Sequence, residues 1–201
     1  MTNYYYSENP DVVHEKKDWS FTLRGHEFHF VTDNGVFSKR TVDFGTRTLL
    51  EAFSFTDLPA GDLLDVGAGY GPIGLALAKE APERQVDLVD VNELALSLAR
   101  ENAANNHVAN VAIFTSDQYA AVEKQYAAIL SNPPVRAGKQ VVTGILVGAK
   151  DHLLPGGTLT IVLQKKQGAP SAQKTMQETF GNATIVKKNK GYYIIQSVKQ
   201  V

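Results

Sequence analysis

Apolar and polar positions along the chain fall into two periods. Period-two patterning marks Ser20 to Leu23 and Glu27 to Thr32, with Arg24-Gly25-His26 as the turn of a hairpin. A polar lead-in with three tyrosines, Tyr4 to Tyr6, precedes it. After a second turn at Asp33-Asn34-Gly35, the spacing of Leu49, Leu50 and Phe53 predicts a helix over Thr46 to Phe53. From Asp62 onwards strand and helix alternate. Short apolar runs predict strands at Asp62–Val66, Gln85–Val91, Val111–Thr115, Tyr126–Ser131 and Thr158–Leu163. Helical periodicity predicts helices from Pro72 to about Ala81, from Glu93 to about Asn105 with Asn92 as its cap, over Lys139–Leu153 and over Ser171–Phe180. Pro155-Gly156-Gly157 reads as the stop of the third of these, and Ala183–Lys187 and Tyr192–Ser197 read as a closing antiparallel pair. Such alternation predicts an α/β fold, a mostly parallel sheet with helices on both faces.

Ligands of such sheets bind beyond the carboxyl ends of the strands, so those ends carry the candidate chemistry. The first reads Leu63-Leu64-Asp65-Val66 and enters Gly67-Ala68-Gly69-Tyr70-Gly71-Pro72. Glycines there take positive φ and let a ligand approach the backbone, and Pro72 suits a first helical position. In a dinucleotide fingerprint, G-x-G-x-x-G/A, the third small residue would fall at position 72, which is proline. The pattern is D-x-G-x-G-x-G instead. It resembles motif I of class I S-adenosylmethionine (SAM)-dependent methyltransferases, in which the glycines make room for the methionine part and ribose and an acid such as Asp65 can bind the ammonium group. Asp90, about 20 residues beyond the glycines, is placed to bind ribose hydroxyls. Asp87, earlier in the same strand, is expected to alternate towards solvent.

The fourth strand ends in Asn132-Pro133-Pro134-Val135. Two prolines fix the backbone and remove two donors. The Asn132 side-chain oxygen and the Pro133 carbonyl can then both accept from one planar –NH2 group and orient it towards a sulfonium methyl. The tetrapeptide resembles the N-P-P-aromatic motif of amino-directed methyltransferases and departs from it at Val135. Phe37, Tyr70 and Tyr119 all stand as candidates for the missing aromatic. Arg136, Lys139, Lys165 and Lys166 follow strand ends and make a basic rim suited to RNA phosphates.

Composition narrows the chemistry. The 201 residues are 43% apolar, enough for a full core, and contain no run of about 18 apolar residues. The first residues lack the apolar stretch of a secretory signal, so a cytoplasmic location with no membrane association is expected. The absence of cysteine excludes disulfides, thiolate zinc, cysteine-held iron–sulfur clusters and cysteine nucleophiles. Methylation at C5 of a pyrimidine through a cysteine adduct is excluded with them. His14, His26, His29, His107 and His152 are scattered, and no metal is expected. A net charge of −1 means that any nucleic-acid surface must be local.

Taken together, GVFSKRTVDFG at Gly35 to Gly45, DVGAGYGPIGLALA, VDVNELAL, SNPPVRAGK and KGYYII resemble the 16S ribosomal RNA guanine-N2 methyltransferase family, in particular its short members. The resemblance runs from about Trp19 to Val198. It implies a Rossmann-like fold with a seven-stranded sheet closed by the antiparallel hairpin. SAM is implied as donor, a guanine N2 as acceptor, and small-subunit RNA or the small subunit itself as partner. It implies that Gly35 to Ser38 and Asp43 to Thr46 fold over the donor site. Phe37, Ala68, Val91, Asn92 and Asn132 are implied to contact the donor, with Asp117 at the adenine amino group. Residues 1–57 are expected as an N-terminal extension and 58–201 as the methyltransferase core of one structural domain, monomeric or weakly dimeric. A protein glutamine or DNA adenine acceptor, and a non-catalytic RNA-binding assembly factor, are the competing readings.

Overall fold

The computed structural model describes residues 13–38 and 40–200, so Tyr4 to Tyr6 lie outside the described residues. The chain runs through strands β1 (Lys17–Leu23) and β2 (His26–Thr32), helix α1 (Phe44–Ala52), β3 (Leu63–Val66), α2 (Pro72–Glu80), β4 (Val86–Asp90) and α3 (Glu93–Asn105). It continues through β5 (Val111–Thr115), β6 (Tyr126–Ser131), α4 (Lys139–Gly148), β7 (Leu153–Gln164), α5 (Ala169–Phe180), β8 (Thr184–Asn189) and β9 (Tyr192–Val198). Seven strands form one sheet in the order β5-β4-β3-β6-β7-β9-β8. β3 to β7 pair in parallel, and β9 runs antiparallel between β7 and β8. The expected Rossmann-like methyltransferase architecture is therefore present. The chain builds outwards from β3 to β5 and returns to β6 on the other side of β3, so the switch point of the sheet lies at the carboxyl ends of β3 and β6.

Both central strands, Leu63–Val66 and Tyr126–Ser131, are buried at every position, as strands covered on both faces must be. This overturns the expectation for Asp87. It is 3% exposed and accepts from the Tyr126 hydroxyl at 2.7 Å and from Lys124 Nζ at 3.1 Å. Alternation in a doubly covered strand points a side chain to the other face of the core, not to water. Helix α4 is also shorter than the span Lys139–Leu153 that its periodicity predicts. It ends at Gly148, and Pro155-Gly156-Gly157 lies inside β7. Gly156, at φ +78°, sits in an irregular stretch where the register against β6 shifts. The ladder is kept by Gly156 N–H donating to the Lys199 carbonyl and Lys199 N–H donating to that of Gly157, both at 2.8 Å.

The hairpin turns on two residues, Arg24 and Gly25, both at positive φ. Its Phe28 and Phe30 are buried in one cluster with Tyr70 and Leu98. α3 supplies the missing neighbour of β2. Asn102 accepts from Val31 N–H at 2.7 Å and donates to its carbonyl at 3.1 Å, and Asn106 does the same for His29 at 2.8 Å each way. Two side-chain amides one helical turn apart thus satisfy a strand backbone that would otherwise be left without partners.

α2 lies so close to the sheet that a Cβ on Gly74 would be 2.5 Å from Leu88 Cγ. Gly74→Ala should therefore lower the unfolding free energy by about 1–3 kcal/mol through overpacking, read from urea denaturation. A variant with the parent's midpoint would show that α2 can lift off the sheet at no cost.

Candidate active site

A cleft of ≈ 410 Å³ opens at the switch point. Its floor is the turn after β3, where Gly67, Gly69 and Gly71 all hold positive φ. Asp90 shapes this turn from below. One carboxylate oxygen accepts from Gly69 N–H at 2.8 Å and the other from Asn92 N–H at 3.0 Å. The Asn92 side chain in turn caps α3 through Ala95 N–H at 3.1 Å and donates to the Gly35 carbonyl at 3.1 Å. Burial raises the Asp90 pKa, and the backbone donors oppose the rise. A Cβ on Gly69 would meet nothing within 4 Å, so the turn borders open space that a ligand can fill.

Asp65 lies beneath the turn. One oxygen accepts from Gly74 N–H at 2.8 Å and the other is buried with no hydrogen-bond partner. Its pKa is raised from 3.8 to about 7, mainly by burial and secondarily by the charge of Asp90.

Across the cleft stands the end of β6, tied to the end of β3 by the Ser131 hydroxyl donating to the Val66 carbonyl at 2.7 Å. Asn132 Nδ2 donates to Asp43 Oδ2 at 3.1 Å and to Thr46 Oγ1 at 3.0 Å. A carboxylate only accepts, so this partner dictates the amide's orientation and leaves Oδ1 for a donor from elsewhere. The Pro133 carbonyl accepts from Val135 N–H at 2.8 Å, which fixes its direction and leaves its second lone pair. Asp43 also caps α1 by accepting from Thr46 N–H at 3.2 Å.

The predicted residues separate on this geometry. Phe37, Gly67, Ala68, Gly69, Asp90, Val91, Asn92, Asn132, Pro133, Pro134, Val135 and Arg136 line the cleft. Asp65 and Gly71 are buried behind the lining, Gly71 as the cap of α2. Asp117 is exposed outside the lining, while its neighbours Ser116 and Gln118 belong to it. Lys139, Lys165 and Lys166 are exposed and beyond the lining, the last two in the 3-10 turn that carries the lining residue Gln167. Of the three aromatic candidates, Tyr119 is buried with its hydroxyl on the Ile145 carbonyl, whereas Phe37 and Tyr70 reach the cleft. Sequence reasoning placed Asp43 and Thr46 only in a segment over the donor site and gave Gln164 and Tyr192 no role. Only Asp43 left a trace, an acid three residues before Thr46 at a helix start, the pattern of a cap. The lysines of the closing hairpin make contacts at the surface. Lys187 Nζ reaches Glu51 at 2.8 Å, and Lys188 and Lys190 sit over the rings of Tyr193 and Phe44.

The model of the methyltransferase small domain matches residues 27–196. The chain belongs to the methyltransferase small domain family. Within it, the Bacillus subtilis (strain 168) uncharacterized protein YbxB is 49% identical over 201 residues, covering 99% of this chain and 100% of YbxB. A ribosomal RNA small subunit methyltransferase C from Hamiltonella defensa is 32% identical over 168 residues, 81% of this chain and 48% of that protein. Among solved structures, the T. thermophilus 16S rRNA N2 G1207 methyltransferase (RsmC) in complex with AdoMet and guanosine superposes with a TM-score of 0.83 at 25% identity. The match covers 92% of this chain and 51% of that one. The small-domain chain thus spans the whole of YbxB and about half the length of these two methyltransferases.

Asp65 gives the site a pH signature. Its folded pKa of about 7 lies above its ordinary 3.8, so between those values the folded chain holds a proton that the unfolded chain has released. Stability contributed at this position therefore falls as the pH rises through that window. Asp65→Asn removes the titration and keeps an oxygen for Gly74 N–H. The stability of this variant relative to the parent should grow from pH 5 to pH 8, by roughly 2–3 kcal/mol. Unfolding curves across that range check it, and a difference independent of pH would refute the raised pKa.

Proposed function

We propose that the protein is a SAM-dependent N-methyltransferase that modifies the exocyclic N2 amine of a guanine in small-subunit ribosomal RNA. The observation that carries this reading is the Asn132 amide. Asp43 and Thr46 hold its nitrogen, so its oxygen is free beside the Pro133 carbonyl, across the cleft from the glycine turn. Family membership supports methyl transfer. Similarity to proteins named ribosomal RNA small subunit methyltransferase C supports RNA as the acceptor.

The cleft fits the donor. The open space at Gly69 accommodates its methionine part and ribose, and each Asp90 oxygen keeps a lone pair for a ribose hydroxyl after meeting its backbone donor. When bound, the donor supplies an electrophilic methyl group on a sulfonium. The remaining work falls to the chain. Asn132 Oδ1 and the Pro133 carbonyl accept the two N–H groups of the target amine and turn its nitrogen towards the methyl. They also stabilise the positive charge that grows on that nitrogen. The amine's acidified proton then passes to water, so no strong base is needed. Arg136 at the cleft, with Lys139, Lys165 and Lys166 beyond it, offers positive charge for RNA phosphates. Such a substrate is found in the cytoplasm, and no helix among the described residues is long and apolar enough to cross a membrane.

Transfer of labelled methyl from SAM tests the reading, with unmodified small-subunit particles, their stripped RNA, duplex DNA and a protein extract as acceptors. Label recovered from RNA as N2-methylguanosine is expected, and label confined to DNA or protein would refute the assignment. Asn132→Ala should cut transfer by a factor on the order of 100 or more while SAM affinity stays nearly unchanged.

The basic rim has its own readout. Lys165→Ala combined with Lys166→Ala should weaken RNA binding and flatten its dependence on salt. An unchanged slope would mean that these lysines touch no phosphate.

A further inference from the structure

We propose that Tyr192 and Gln164 form the subsite that receives and reads the acceptor base, with the Tyr192 ring as its stacking face and the Gln164 amide reading its edge. This rests on the methyltransferase reading above and extends it from the amine to the rest of the base.

Val135 gives the site an aliphatic side chain where a flipped base would want an aromatic one. Tyr119 is buried in the core, and the Tyr70 ring is packed edge-on against Trp19 and Phe30. Phe37 follows the Gly35 carbonyl that Asn92 holds, on the side of the cleft where Asp90 lies. Tyr192 is on the other side. A Cβ on Gly45 would be 2.8 Å from the Tyr192 ring and 2.9 Å from Asp43 Oδ2, the oxygen that accepts from Asn132. Ring and carboxylate therefore converge on one point, and the carboxylate touches the amide that is to grip the amine. The ring is held by Phe44, with centroids 5.5 Å apart, and only a residue without Cβ at position 45 leaves it room.

Tyr192 opens β9 directly opposite Gln164, which closes β7. Gln164 Nε2 donates to the Tyr192 hydroxyl at 2.7 Å, and both residues line the cleft half-buried. With its nitrogen so engaged, the amide offers Oε1 as an acceptor. The phenol, by accepting from the amide, fixes which end of it faces the base. The ring thus offers a stacking face and the amide one oriented acceptor. Guanine matches this acceptor, because the ring atom next to its N2 amine is N1–H, a donor. In adenine and cytosine the ring nitrogen next to the amine carries a lone pair, which would face Oε1 and leave both unpaired. An edge that leaves buried polar groups unpaired is rejected far more strongly than one that merely fits loosely. Asn132 recognises any planar amine, and the pair selects the purine whose amine has an N–H neighbour.

The test uses the full chain with unmodified small-subunit particles as acceptor, reading kcat/KM, SAM affinity and the methylated nucleoside. Tyr192→Leu should lower kcat/KM by about tenfold to hundredfold, the worth of one base–aromatic stack, while Tyr192→Phe, which keeps the ring and loses only the hydroxyl that orients the amide, should stay well above it. Gln164→Leu should fall by about tenfold or more, and Gln164→Glu, which still presents an acceptor, should stay well above it. SAM affinity should stay within about twofold throughout, since neither side chain is assigned to the donor. A purely packing role for Gln164 would give the opposite order, with Leu above Glu, and that order would overturn the proposal. So would a Tyr192→Leu protein as active as the parent. Should Tyr192→Leu fail to fold, the two Gln164 variants decide alone. If the parent forms N2-methylguanosine and the variants match it, only this subsite is refuted. If the parent methylates no RNA guanine, the functional reading fails and the subsite falls with it.

Discussion

The site depends on the hydrogen bond from Asn132 to Asp43. An asparagine amide has two nearly isosteric ends, one donating and one accepting, and alone it can present either to a ligand. Asp43 removes that freedom, because a carboxylate can only accept from it. The same Oδ2 caps α1 through Thr46 N–H, and the Thr46 hydroxyl is the second partner of the amide. The start of α1 and the end of β6, 89 residues apart in the chain, are therefore fixed by one carboxylate. Gly45 between these partners leaves no space for a Cβ against Tyr192, so the helix start also sets the position of that ring. Loss of the helix cap would loosen the amide and the aromatic wall together.

A second carboxylate has the corresponding role on the other wall. Asp90 holds the glycine turn with one oxygen and the start of α3 with the other. α3 then carries the hairpin, since Asn102 and Asn106 satisfy the backbone of β2 and Asn92 holds the Gly35 carbonyl. The segment from Gly35 to Ser38 is thus fastened at its start to the same helix whose cap Asp90 organises. Each of these contacts joins groups that would otherwise be buried without partners, so they are costly to break singly and act together.

These couplings explain what could be read from the chain and what could not. The parallel sheet was legible because β3, β4, β5 and β6 are short apolar runs separated by helices whose caps and periodicity are local. The glycine turn, Asp90 and the Asn132 tetrapeptide were legible as cleft residues because each is written within a few residues of a strand end. Asp87 was misread because alternation reports which face a side chain takes, and only tertiary packing decides whether that face meets water. Pro155-Gly156-Gly157 was misread because the same residues that stop a helix also allow a bulge in a strand, and the ladder with Lys199 settles the matter. The Asp43–Asn132 bond left no local mark beyond a helix cap, since nothing near Asp43 states which strand end it will meet.

Tyr192 was overlooked for a topological reason. Inspecting the carboxyl ends of strands is the right procedure for a parallel sheet, and it finds Gly67, Asp90, Ser116 and Asn132 in turn. β9 is inserted antiparallel beside β7, so its first residue, rather than its last, arrives at the edge where the parallel strands end. The antiparallel pair at the end of such a sheet therefore does more than close it. It brings a strand's amino end to the cleft, next to the carboxyl end of β7, and allows two cross-strand neighbours to share one hydrogen bond at the rim. In the proposed reading, contacts to the amine come from β6, and contacts to the ring of the base from β7 and β9. A sheet that divides the work in this way can change the shape it accepts at Gln164 and Tyr192 while Asn132 and Pro133 remain as they are.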